Sequence, residues 1–160
     1  MSLPDFDIVE SHTALRFGYG LKFSRIGAVQ DYVNSILQSD FWKARCPDVD
    51  CVDVVTFKDP KVKHSINRYG LAKSTYALTF YHPNVDEYVL AFNQKRRCAT
   101  SQIVVLHELA HVITENDTNH AAPEYGGHTE GFRNAYIELI EEFMPEETKR
   151  LAVLREQLFE

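Results

Sequence analysis

The sequence predicts an α+β domain, with a helix first, a small sheet next and further helices last. Three observations predict it. Ile26, Val29, Val33, Ile36 and Leu37 recur at helical spacing. Three runs rich in β-branched and aromatic residues follow, at 51–57, 75–81 and 87–92. Beyond them, 101–115 and 128–143 return to helical periodicity. At 160 residues the chain suits one domain, 1–160, whose first 22 residues carry no clear pattern.

Taken in order, Gly18 and Gly20 suggest a turn, and Ser24 is the expected N-cap of a helix over 24–39. Phe41 and Trp42 should clamp its end to the core before Pro47 and Asp48-Val49-Asp50 break the pattern. Cys51–Phe57 reads as a strand. Residues 58–74 form a basic loop, with Lys58, Lys61, Lys63, Arg68 and Lys73 against Asp59, and read as solvated. Thr75–Tyr81 and Glu87–Phe92 flank His82-Pro83-Asn84-Val85-Asp86, a linker suited to a β-hairpin. Thr100 or Ser101 should cap the helix over 101–115, which is apolar nearly all round and therefore buried. A polar loop leads to an amphipathic helix over His128–Phe143, striped by Phe132, Ala135, Tyr136, Leu139, Ile140 and Phe143. Pro145-Glu146-Glu147 opens a last helix, because proline suits the first helical position and acids favour the N-terminal dipole. The expected sheet is small, twisted and mostly antiparallel, packed on the 101–115 helix, with two helices beyond.

Composition excludes several classes of function. A net charge of −6 argues against a general binder of nucleic acid or anionic membranes. No apolar run reaches membrane-spanning length, and the acidic N-terminal stretch lacks a signal-peptide core, so a cytoplasmic protein is expected. Three cysteines without a framework suit a reducing compartment, with Cys46 and Cys51 unbridged.

The chemistry sits in Leu106-His107-Glu108-Leu109-Ala110-His111. Residues four apart lie one above the other on a helix, so His107 and His111 can offer two imidazoles to one metal ion. Glu108 is then placed to act as general base on a water at that metal, the H-E-x-x-H arrangement of zinc hydrolases. Two histidines and a glutamate on a buried apolar helix are costly without such a partner. One Zn²⁺ per chain is therefore expected. Catalytic zinc commonly takes three protein ligands and keeps one position open. His128 is the expected third ligand, because it extends the Phe132 stripe inward by one turn, and Gly126-Gly127 let the backbone approach. Asp117 is a rival, disfavoured because Thr114 stands where a turn-forming glycine is needed. Glu124, Glu130, Glu138 and His120 are further alternatives. Tyr125, His120, Arg133 and Tyr136 are candidates to steady an oxyanion.

The H-E-L-A-H segment followed by His128-x-x-x-Phe132 resembles the SprT-like zincin metallopeptidases, although Thr129 stands where a glycine is usual. The compact length, the strand pair, the His-x-x-x-Phe helix and the Pro-Glu-Glu tail are similar to a small family assigned as metallohydrolases in actinobacteria and their phages. The resemblance covers most of 24–160. It implies a zincin-like fold, a zinc ion and a protein or peptide substrate lying antiparallel to an edge strand, for which Glu87–Phe92 is the candidate. Two other readings follow from resemblance: a regulator of the ImmA/IrrE kind acting on a repressor, without an evident helix-turn-helix here, and a nucleic-acid-associated protease using Lys95-Arg96-Arg97. That basic run reads first as a solvated connection. Nothing in the sequence fixes an oligomeric state.

Overall fold

Helical spacing from Ile26 produces α1 (Ile26–Leu37), which buries Val29, Val33, Ile36 and Leu37 on one face. The computed structural model describes residues 20–62, 76–82, 85–96, 99–118 and 129–145. Gly18, the residues after Pro145 and most of the basic loop fall outside these residues; Gly20 lies in a bend at φ +74° and Pro145 is helical. Arg25, not Ser24, occupies the N-cap of α1, and no side chain caps it. The helix expected over 24–39 is observed over 26–37, and a short second helix follows it. Ser39 turns extended, and its hydroxyl accepts from Trp42 N at 3.1 Å, starting α2 (Asp40–Arg45). The clamp expected from Phe41 and Trp42 is present, but on this second helix. Trp42 is fully buried, and its indole N–H donates to Val49 O at 2.8 Å.

The strands are β1 (Val52–Thr56), β2 (Ala77–His82) and β3 (Glu87–Phe92), in the order β1-β3-β2. β2 and β3 form the expected antiparallel hairpin, whereas β1 pairs with β3 in parallel. The sheet is thus mixed rather than mostly antiparallel. Glu87–Phe92 is correspondingly the central strand, with both edges hydrogen-bonded, and is corrected from its expected place at the edge. Sequence alternation made β2 and β3 neighbours but carried no information on the side from which β1 would join.

At the outer edge of β1, the Gln30 side chain of α1 behaves as a one-residue strand. Its Oε1 accepts from Val54 N, and its Nε2 donates to Val52 O, each at 2.9 Å. Among the described residues no strand pairs with the outer edge of β2.

The inner sheet face contributes Val52, Val54, Tyr88, Leu90 and Phe92 to one core with α1 and with α3 (Gln102–Asp117). α4 (Glu130–Phe143) packs on α3 and completes that core with Phe132, Ala135, Tyr136, Leu139 and Ile140. The result is a small α+β domain, and no described helix is long and apolar enough to cross a membrane. Cys46 and Cys51 are free thiols. Burial pushes the Cys46 thiol up to about 11.

Candidate functional site

α3 begins at Ser101, which takes the N-cap position without a side-chain cap bond. Its neighbour Thr100 instead donates to Phe23 O at 2.8 Å and, with the Lys22–Ser101 bridge, ties the start of α3 to the segment before α1. From Ile103 to Glu115, the half-exposed residues are Val104, His107, His111, Thr114 and Glu115; the rest are buried. At about 100° per residue these five fall in one sector roughly 100° wide. The helix expected to be buried all round therefore keeps one open stripe, and both histidines lie on it.

The two imidazoles stand 5.1 Å apart between ring centroids, inclined at 66°. Two imidazoles bound at about 2.0–2.1 Å to one tetrahedral ion would hold their centroids roughly 5 Å apart, and the observed separation matches that spacing. α4 fixes the rings. Thr129 caps that helix by accepting from Phe132 N at 3.2 Å, which sets Phe132 opposite the histidines. The Phe132 ring stacks on His111 at 4.3 Å and 26° and meets His107 edge-on at 4.9 Å. Tyr136 meets His107 edge-on at 5.3 Å, while its hydroxyl donates to Ile103 O at 3.4 Å.

Glu108, about 100° round the helix from His107, points to the sheet instead of to α4. It is 5% exposed, and its Oε2 accepts a hydrogen bond from the Thr79 hydroxyl, which also lies 3.2 Å from Glu108 O. A β2 residue thus fixes the carboxylate on the sheet side of α3. Sequence reading missed Thr79; the only signal was its place on the inward-facing alternation of β2.

The expected third ligand, His128, lies outside the described residues, as do Glu124, His120 and Tyr125. α4 starts at Glu130 after the Thr129 cap, two residues later than expected. Among the described residues no group of three His, Cys, Asp or Glu is disposed to hold a metal. The rivals are occupied elsewhere. Both carboxylate oxygens of Asp117 accept from Arg45, at 2.9 and 2.7 Å, and Arg45 also lies 3.6 Å from Glu138. Glu130 is exposed. Arg133 is buried on α4, one residue after the ring that touches both histidines.

Glu115 completes the stripe. Burial, reinforced by the charge of Glu108, pushes its carboxyl up to about 7. An acid whose folded pKa is raised loses nothing below its unfolded value near 4.5, then costs stability as pH rises toward 7. Glu115→Gln should leave Tm unchanged at pH 4 and raise it by about 2–4 °C at pH 8 in metal-free protein, allowing for solvent screening of a half-exposed group. Differential scanning calorimetry at the two pH values checks this, and an equal shift at both would show that the carboxyl is not the cause.

No protein-family model matches the sequence, and no curated protein or solved structure shows significant similarity to it.

Proposed function

We propose that this chain is a zinc-dependent metallopeptidase of the H-E-x-x-H type, with a zincin-like fold akin to the SprT-like enzymes. The observation that carries the reading is the pair of imidazoles 5.1 Å apart on the half-exposed stripe of α3, on the same helix as a buried Glu108 whose carboxylate Thr79 holds. In this reading His107, His111 and His128 hold one Zn²⁺ as neutral imidazoles. When bound, zinc supplies a Lewis acid that acidifies water and polarises a carbonyl. Glu108 takes a proton from the attacking water and returns it to the leaving amine. Phe132 and Tyr136 keep the imidazoles oriented and the α4 side dry. The Thr79 hydroxyl holds the Glu108 carboxylate toward the reacting atoms.

In this reading the outer edge of β2, unpaired among the described residues, supplies the substrate wall in place of β3. Asn93 N donates to Tyr76 O at 2.8 Å, so alternation turns Leu78, Phe80 and His82 toward β3. The backbone groups of Ala77, Thr79 and Tyr81 then face outward, and an extended peptide can pair with them. The side chains of those same three residues face α3, which brings such a peptide alongside Glu108.

Metal analysis of the purified protein tests the reading. About one zinc per chain is expected, lost in His128→Ala and kept in Asp117→Ala. A metal-free wild-type protein that takes up no added zinc would overturn it, and the reverse pair of mutant results would move the third ligand to Asp117. Thr79→Val should lower kcat about tenfold or more at unchanged zinc content, while Thr79→Ser restores it. Equal rates in the two variants would leave Thr79 a packing residue only.

A further inference from the structure

We propose that Glu115 is a specificity-determining residue of this site, binding a cationic group of the substrate on the N-terminal side of the bond to be cut. The inference rests on the peptidase reading above and deepens it. Glu115 lies one turn beyond His111 and two beyond Glu108, so the open stripe of α3 runs from Val104 through both histidines to this carboxylate. It is half-buried, and no described side chain or backbone group pairs with its carboxyl. Its neighbours are acidic or neutral: Glu108 on α3, and the Tyr88 phenol, pushed up by burial and next by the Glu115 charge. The C-terminal end of α3 adds the negative pole of the helix dipole. A desolvated acid with acidic company and no counter-charge among the described residues burdens the resting protein, and a cation arriving with the substrate relieves it.

The sheet says which part of the substrate arrives there. Thr79 of β2 marks the Glu108 level of α3, and Tyr81, paired with Tyr88, marks the Glu115 end. A peptide added antiparallel to β2, the slightly more stable pairing, therefore runs its N-terminal part past Glu115. The rise from Glu108 to Glu115 is about 10 Å, or roughly three residues of extended chain. A Lys or Arg side chain two or three residues before the scissile bond meets this carboxylate, and so does the free α-amino group of a short N-terminal segment.

The test uses the full-length zinc-loaded chain carrying Glu108→Gln, so that binding is read without turnover. Four degenerate decapeptide pools serve as probes: a fixed lysine or norleucine, each with a free or an acetylated N-terminus. Pools carrying a cation should bind about tenfold more tightly than the acetylated norleucine pool, and Glu115→Gln should erase the difference. A preference surviving acetylation assigns the lysine side chain; one lost on acetylation assigns the α-amino group. Equal binding of all pools, or a preference that persists in Glu115→Gln, would overturn the proposal. So would loss of zinc in Glu115→Gln, which would make the residue a ligand instead. Digestion of unfolded casein by the otherwise wild-type enzyme gives a second readout, in which the ratio of basic-flanked to neutral cleavage sites falls about tenfold in Glu115→Gln. If casein is not cut while the pools still discriminate, the peptidase reading fails and the cation subsite stands.

Discussion

Glu108→Gln is expected to abolish hydrolysis, by about 10²–10⁴-fold in kcat, while leaving one zinc per chain and the fold intact. The substitution keeps the volume and the hydrogen bond available to Thr79, so the side chain should stay where the hydroxyl now holds it. What it removes is the capacity to accept a proton from water. Single-turnover assays on an unfolded protein substrate, with metal analysis and thermal melting on the same sample, separate these effects. A variant as active as the wild type would remove Glu108 from the chemistry and leave a protein that works by binding. Because it should bind without turning over, the same variant can retain the physiological substrate for identification by mass spectrometry.

Phe132→Ala is expected to have the largest effect on stability that also reaches the site. Phe132 is fully buried and lies against both imidazoles. Large-to-small substitution of a buried phenylalanine costs about 3–5 kcal/mol, from lost burial and the remaining cavity. Denaturant unfolding should show a lower midpoint at a similar slope. Beyond stability, two rings now fixed by one wall would gain rotamer freedom, so zinc affinity should fall as well. Phe132→Leu should recover most of the stability but less of the affinity, because a branched aliphatic side chain fills volume without presenting a flat face. If both variants bound zinc as the wild type does, the ring contacts would be packing alone.

Much of the architecture was legible because it depends on local periodicity. α1, the hairpin and the motif helix follow from spacings of 3.6 and 2, and their predicted bounds differ from the observed ones by only a few residues. The failures come where one side chain decides. Ser39 opens a short helix that the apolar spacing did not announce, because its hydroxyl satisfies the first turn. Thr129 starts α4 later than its apolar stripe implies for the same reason. The position of β1 depended on a long-range pairing that alternation does not encode. At the site, His107, Glu108 and His111 could be read from spacing on one helix. Thr79 and Glu115 could not, because the contact of one and the raised carboxyl of the other depend on which elements pack around them.

The Gln30 amide has a consequence for how the protein keeps to itself in concentrated solution. An exposed strand edge invites another chain to dock, and a sheet with two such edges can propagate into fibres. By occupying Val52 and Val54, one glutamine leaves, among the described residues, a single side on which the sheet can grow. That side is the one bordered by Thr79 and Glu108. If β2 recruits an extended chain as proposed, that recruitment and self-association compete for the same margin.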